Sequence, residues 1–139
     1  MTDLLARCQA NMPPMAELLG VVLESVELDR IVARMEAHEP MSNGTGILHG
    51  GAYMTFADFL GALGTVVNLQ KGTSTTTIES KTNFFAPAKV GSMVHGECTP
   101  LHRGRRTMVW QTRLTNAEGR LLALVTQTQM VLEVPRKDG

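Results

Sequence analysis

The first part of the chain alternates between helical and strand-like spacing of its apolar side chains. Leu4, Leu5 and Cys8 recur at i, i+1 and i+4, which predicts a short amphipathic helix that the prolines at 13 and 14 end. The segments that follow are, in order, a helical turn over 15–19 ended by a glycine, strands over 21–28 and 30–37, and a turn-rich loop over 39–46. The two strands are expected to form a hairpin.

The second part predicts one long helix and then four strands. Between His49 and Lys71 the only charged side chain is Asp58, in a run too long for a strand, so a buried helix of about twenty residues is expected. Strands are predicted over 73–85, 93–100, 107–115 and 121–134. The sequence therefore predicts an α+β fold, a single domain over 1–139 in which a largely antiparallel sheet covers one helix.

Composition and charge exclude several classes of protein. The 139 residues carry 13 basic and 13 acidic side chains, so no basic excess points to nucleic acid. Cys8 and Cys98 lie in no metal-ligand spacing, and two cysteines fit a reducing cytoplasm better than a disulfide framework. The N-terminal residues lack the apolar core of a signal peptide, and the glycines, Asp58 and Asn68 make the long helix a poor membrane span.

An acidic side chain inside the long apolar helix is the first candidate for chemistry. On a helical wheel, six residues fall within about 60° of Asp58 at 100° per residue. These are Gly51, Met54, Thr55, Gly61, Ala62 and Thr65, while Tyr53, Phe56, Leu60, Leu63 and Val67 lie opposite and are expected to face the sheet. An acid in this position either serves chemistry or is hydrogen-bonded by a neighbour and serves packing only.

The start of the helix and the preceding loop supply further candidates. Glycines at 50 and 51 either let the chain turn or permit close approach of a ligand to the unpaired N–H groups at the helix start. Asn43, followed by glycine, is typical of a turn, but its side-chain amide could also donate to a ligand carbonyl.

The joint spacing resembles one known family. The pattern N-x(5)-HGG-x(6)-D over Asn43 to Asp58, followed after a polar strand by NFFAPAKVG, resembles the hotdog-fold acyl-CoA thioesterases, in particular the phenylacetate-pathway, PaaI-like branch. The resemblance extends from PMAELLG through the last strand, QTQMVLEV. It implies a hotdog fold, in which an antiparallel sheet wraps around the central helix, and hydrolysis of an aryl- or medium-chain acyl-CoA.

The resemblance also implies a role for each matching residue. The Gly50 N–H and the Asn43 side chain would form an oxyanion hole for the thioester carbonyl. Asp58 would be general base or nucleophile, and His49 would shape the loop and orient the thioester. Thr77 matches a small hydroxyl residue that holds the attacking water, although strand preference alone would also place a threonine there.

The resemblance further implies a homo-oligomer, a dimer or a dimer of dimers, with the active site at the subunit interface. Gly51 is a candidate substrate contact, and Arg103, Arg105, Arg106 and Lys89 are candidates for the coenzyme A phosphates, because arginine forks suit phosphate. Exposed basic turns are also commonly just solvated. We expect neither a metal nor a cofactor.

Two other functions remain open on the same fold. One is a module that binds acyl-CoA without turning it over, which has no need of an acid at the carbonyl. The other is a hydratase, which needs an Asp/His pair placed to move a proton and water across a double bond.

Overall fold

The computed structural model describes residues 3–136 and consists of one long helix packed on a six-stranded antiparallel sheet. The helices are α1 (Asp3–Ala10), α2 (Pro14–Leu19) and α3 (Gly50–Val66), with a 3-10 turn at Glu39–Met41. The strands are β1 (Val22–Glu27), β2 (Arg30–Glu36), β3 (Thr73–Phe84), β4 (Met93–Arg103), β5 (Thr107–Thr115) and β6 (Leu121–Glu133), in the order β1-β2-β4-β5-β6-β3. The predicted α+β hotdog architecture is confirmed.

Helix α3 is shorter than the predicted span of 49–71. It ends at Val66, and the side-chain amide of Asn68 turns back to donate to Gly64 O at 2.8 Å and to Leu28 O, between β1 and β2, at 2.7 Å. The carbonyl of Gly64 is one of the last in the helix, which lack partners within the helix, and Asn68 supplies one. The residues from 67 onward therefore lead into β3 instead of extending the helix.

Strand β4 is longer than predicted. It passes Pro100 with a shift in register, and the pairing with β5 then continues to Arg103, opposite Met108. Proline has no N–H to donate to the neighbouring strand, and a shift in register beside it allows the hydrogen bonding between the two strands to resume further on. The basic turn is thus confined to residues 104–106, and Arg103 belongs to the strand.

The face that α3 turns to the sheet differs in part from the helical-wheel prediction. Tyr53, Phe56 and Leu60 are buried as expected. Gly61 and Thr65, which lie on the same side of the helix as Asp58, are also buried against the sheet, so the expectation that only the bulky side faces the sheet is wrong. The sheet curls around the helix and contacts more than one side of it, so a single buried face does not describe α3.

A tryptophan fixes the position of α3 on the centre of the sheet. The fully buried Trp110 of β5 donates from Nε1 to Thr65 Oγ1 at 2.9 Å. A Cβ at Gly64 would lie 2.9 Å from the Trp110 ring, so the absence of a side chain there lets helix and ring approach closely.

Candidate active site

Asp58 lies in the middle of α3 and is held by side chains from two neighbouring strands. Thr77 of β3 donates its hydroxyl to Asp58 Oδ1 at 2.7 Å. Gln127 of β6 brings Nε2 to 3.3 Å from the same oxygen and to 3.3 Å from the Asp58 backbone oxygen. Within residues 3–136, Asp58 Oδ2 has no hydrogen-bond partner, so one carboxylate oxygen is anchored and the other is free.

The start of α3 leaves one backbone donor free. His49 caps the helix: its Nδ1 accepts the Gly51 N–H at 2.8 Å, and its carbonyl accepts the Ala52 N–H at 2.9 Å. Because Nδ1 is an acceptor here, the proton of the neutral imidazole is on Nε2. The Gly50 N–H has no acceptor among the described residues, and the positive end of the helix dipole adds to its capacity to bind a polarised oxygen.

Asn43 lies in a loop that is closed by its own hydrogen bonds. Its N–H donates to Ile47 O at 2.9 Å, and its side-chain Oδ1 accepts from the Thr45 N–H at 2.9 Å and the Thr45 hydroxyl at 2.6 Å. This Asx turn occupies the oxygen of the amide. Asn43 Nδ2 donates to no group in the described part of the chain and is exposed, which leaves it available as a donor.

The two parts of the candidate site are separated within one chain. Gly50 and Asp58 are eight residues apart on the same helix, which corresponds to about 12 Å along its axis at 1.5 Å per residue. A donor to the thioester oxygen and a group attacking its carbon must both lie about 3 Å from the reacting atoms. One chain therefore does not bring its own Gly50 N–H and Asp58 to the same thioester.

A small apolar cavity adjoins Asp58. It has a volume of about 180 Å³ and lies between α2 and α3. Asp58 and Thr55 are its polar side chains, and the remaining lining residues are Pro13, Met15, Ala16, Leu19, Phe59 and Ala62. An apolar lining with a few polar groups is common in small-molecule sites, although their usual volume of about 300–1,000 Å³ is larger than that of this cavity.

The basic candidates fall at two opposite ends of α3. Arg103, Arg105 and Arg106 line an open groove of about 940 Å³ beside Asn68, at the end of the helix. Arg103 already donates to Leu28 O at 3.2 Å and approaches Asn68 Oδ1 at 3.5 Å, so part of its donor capacity is used within the chain. Lys89, exposed and paired with Ile47, lies near the helix start.

Gln127 and Gln129 are part of the site that the sequence prediction missed. They are 1% and 0% exposed and continue the buried, α3-facing positions of β6 after Ala123 and Val125. The signal was present in the sequence, because two amides occupy the inward positions of an otherwise apolar strand. A polar side chain at such a position needs a buried partner.

Burial raises the pKa of three groups near the core. It raises the pKa of the Cys98 thiol to about 12, and it raises the pKa values of the Cys8 thiol and the Tyr53 hydroxyl less strongly. A raised thiol pKa keeps sulfur protonated and unreactive near neutral pH. Neither cysteine therefore has the character of a nucleophile.

Residues 3–136 contain no cluster of three His, Cys, Asp or Glu side chains arranged to hold a metal ion. Over the same residues, none of the helices has the length and apolar character needed to cross a bilayer.

The fold and this arrangement define a hotdog protein with a carboxylate in the middle of its central helix and a free N–H donor at the helix start. Residues 45–123 match the family model described as Thioesterase superfamily. The chain belongs to this superfamily, and it is a thioester hydrolase.

Curated relatives with related activities share most of the chain. The 1,4-dihydroxy-2-naphthoyl-CoA hydrolase of Escherichia coli is 29% identical over 118 residues, which cover 85% of this chain and 86% of that protein. The proofreading thioesterase EntH of Klebsiella pneumoniae is 29% identical over 102 residues, covering 73% of this chain and 74% of that one.

Solved structures share the fold. AziG of S. sahachiroi superposes with a TM-score of 0.84 at 28% identity, covering 89% of this chain and 100% of that one. Smu.793 of Streptococcus mutans, bound to acetyl CoA, gives 0.76 at 24% identity, covering 84% and 91%. The PaaI protein of the E. coli phenylacetic acid degradation operon gives 0.83 at 20% identity, covering 94% of each chain. The resemblance seen in the sequence is confirmed for the fold and the superfamily.

Proposed function

We propose that this protein hydrolyses the thioester of an aryl- or medium-chain acyl-CoA to the free acid and CoA, in the cytoplasm and within a homo-oligomer. The observation that carries the proposal is the Asp58 carboxylate, which is anchored through Oδ1, free at Oδ2 and next to an apolar cavity. A carboxylate in this setting can remove a proton from water or attack a carbonyl carbon directly.

The chemistry is divided between the carboxylate and two donors. Asp58 acts as general base or nucleophile at the thioester carbon, and the Gly50 N–H and Asn43 Nδ2 stabilise the developing oxyanion. The His49 side chain accepts from the Gly51 N–H and so holds the start of the helix, where the Gly50 N–H points to no acceptor within residues 3–136. Thr77 holds the carboxylate in place. As a base, Asp58 takes a proton from water, the water oxygen bonds to the thioester carbon, the C–S bond breaks, and the proton passes to the CoA thiolate. As a nucleophile, Asp58 displaces the thiolate to form an acyl anhydride, which water hydrolyses to the free acid and Asp58, and a proton of that water passes to the thiolate.

Two copies of the chain are needed to complete such a site. Because Gly50 and Asp58 are too far apart on α3, the oxyanion donors of one copy would serve the carboxylate of the other. Several apolar side chains on this side of the molecule are exposed in the single chain, including Met54 at 38%, Ile78 at 56% and Phe84 at 51%. A second copy packed against α3 and the edge strand β3 would cover them.

The CoA moiety is assigned to the basic groove. Arg105 and Arg106 are exposed there and form no ion pair with any residue of 3–136, so their guanidinium groups are available for phosphate. Lys89 lies at the other end of α3, so it would reach the same CoA only from the partner copy. The Asp58 cavity would hold the acyl group, with Gly51 allowing close approach of the thioester.

The test is release of free thiol from a panel of acyl-CoA and aryl-CoA esters by the wild type and by Asp58→Ala. We expect turnover with at least one ester and a loss of roughly 10²- to 10⁴-fold in the variant, with substrate affinity retained. Asp29→Ala removes an exposed acid from the β1–β2 turn and is the matched control.

Other outcomes would identify the alternatives. CoA esters that bind without any thiol release from the wild type would make the protein a binding module. Loss of the double bond of a 2-enoyl-CoA, with no thiol released, would make it a hydratase. Full activity of Asp58→Ala would remove the carboxylate from the reaction.

A further inference from the structure

Two buried glutamines beside Asp58 have no role in the steps described above. Gln127 and Gln129 reach toward α3 from adjacent inward positions of β6 and are almost fully buried. Burial of an amide costs free energy unless its polar atoms find partners. The partners of these amides therefore indicate what the two side chains do in the site.

Gln129 donates to the hydroxyl oxygen that binds Asp58. Its Nε2 lies 2.5 Å from Thr77 Oγ1, and its Oε1 lies 3.0 Å from Thr75 Oγ1, a hydroxyl that also lies 2.9 Å from Met130 O. A carboxylate that acts as base or nucleophile carries no proton, so the single Thr77 proton lies toward Asp58 Oδ1, 2.7 Å away. The Thr77 oxygen is then an acceptor, and an amide donates only through its nitrogen, so the amino group of Gln129 is the end that faces Thr77.

Gln127 adds a second donor to the same carboxylate oxygen. The reverse orientation of its amide would set Oε1 against Asp58 Oδ1, two acceptors in contact. With the amino group toward Asp58, Gln127 Oε1 is buried and has no hydrogen-bond partner within residues 3–136. Gln127 thus donates a hydrogen bond to the carboxylate, while its own amide oxygen is left without one.

The helix is shaped to admit this amide. A methyl group at Gly61 would overlap the side-chain amide of Gln127. Gly61 is on α3 almost one turn after Asp58, so the missing side chain opens the space through which Gln127 reaches the carboxylate.

We propose that Gln127 and Gln129 are positioning residues for Asp58, which pin Oδ1 and leave Oδ2 as the reacting oxygen. The two oxygens of a carboxylate otherwise exchange by rotation about a soft terminal torsion. Two donors to Oδ1, one direct and one through Thr77, stop this exchange. The proposal rests on the thioesterase function proposed above, since it assigns the geometry of that reaction.

The test is a double-variant cycle on Gln129 and Thr77. Gln129→Met keeps the volume and removes the donor, and Thr77→Val keeps the shape and removes the hydroxyl. We expect kcat to fall about 2- to 10-fold in Gln129→Met, with KM nearly unchanged, because a neutral hydrogen bond is lost. Thr77→Val loses a bond to a charged group and should fall about 10- to 100-fold.

The decisive result is the double variant. Because Gln129 acts through Thr77, the double variant should have the kcat of Thr77→Val alone. Thr77→Ser should restore most of the activity, and Gln127→Met should lose roughly as much as Thr77→Val. Losses that multiply in the double variant, or a Gln129→Met enzyme with unchanged kcat, would overturn the proposal.

A control and a second measurement separate positioning from folding and from the reaction itself. Thr112→Val changes a buried threonine of β5 and should leave kcat within about twofold, as a substitution outside the network. By NMR, the Thr77 hydroxyl proton should exchange slowly with water in the wild type and faster in Gln129→Met. This reading holds even if no ester is turned over, whereas equal exchange in both proteins would refute the arrangement.

Discussion

The inner face of the sheet is built in two contrasting halves. Where β2 and β4 face α3, the buried side chains are apolar, as with Ile31, Met35 and Val94. Where β3 and the second half of β6 face it, the side chains include Thr77 and Gln127, which bond to Asp58, and Gln129, which bonds to Thr77. The comparison teaches that one helix is stabilised by its contacts on one side and made chemically useful by its contacts on the other.

The largest effect expected in the apolar half is on stability. Leu60 is fully buried, and Leu60→Ala should lower the free energy of unfolding by about 2–5 kcal/mol, because it removes apolar contacts and leaves a cavity. Chemical denaturation measures this. Leu101→Ala, at an exposed leucine, is the control and should change stability by about 0.5 kcal/mol or less.

Chemical denaturation of Asp58→Ala tests whether the polar half also contributes to stability. This variant should lose less stability than Leu60→Ala, because Gln127 keeps the backbone oxygen of residue 58 as a partner, whereas Leu60→Ala should keep its activity per folded molecule. An Asp58→Ala protein as unstable as Leu60→Ala would mean that the polar half also holds the fold together.

A smaller effect is expected at alkaline pH, and it belongs to the apolar half. Burial raises the pKa of the Cys98 thiol from 9.0 to about 12 in the folded chain. Between these values the unfolded chain has lost the proton and the folded chain has kept it. The stabilisation is therefore complete below pH 9.0 and is lost as the pH rises toward 12, at about 1.4 kcal/mol per unit.

The experiment compares urea unfolding of the wild type and Cys98→Ala from about pH 8 to about pH 10.5, a range that spans the onset of thiol ionisation in the unfolded chain. The difference in unfolding free energy between the two proteins should shrink above pH 9.0. A difference that stays constant with pH would show that the thiol ionises equally in both states.

The smallest effect is expected outside both halves, at the basic groove. Arg105→Ala and Arg106→Ala should each raise KM for CoA esters about two- to fivefold, the range for exposed ion pairs. They should leave KM unchanged for a short thioester that lacks the nucleotide. Arg120→Ala, at an exposed arginine in the β5–β6 turn, is the control. Equal effects on both kinds of substrate would place CoA elsewhere.

The sequence predicted the elements well where one periodicity dominates. The alternation in β2 and the long apolar run of α3 were sufficient to predict a strand and a helix. Each pattern arises because side chains on a buried face recur at the period of the element. The end of α3 was missed because the Asn68 side chain there donates to the carbonyl of Leu28, a residue that is distant in the sequence. The extension of β4 was missed because a shifted ladder depends on its partner strand.

The candidate site was predictable only in part, for a related reason. Asp58 and Gly50 stood out as residues that are unusual for their local setting, and the spacing to Asn43 linked them to a family. Gln127 and Gln129 have meaning only when β6 is laid beside α3, because their partners are on other elements. A hydrogen-bond network is a property of packing, which a single sequence does not display.

The glycines of α3 also bear on how the chain folds. Gly61 and Gly64 let the helix approach Gln127 and Trp110, but each lowers the intrinsic helix stability by about 1 kcal/mol relative to alanine. A segment of 17 residues with four glycines has little tendency to form a helix in water by itself. We therefore expect α3 to become ordered together with the sheet, so that the site is assembled in the same cooperative step as the core.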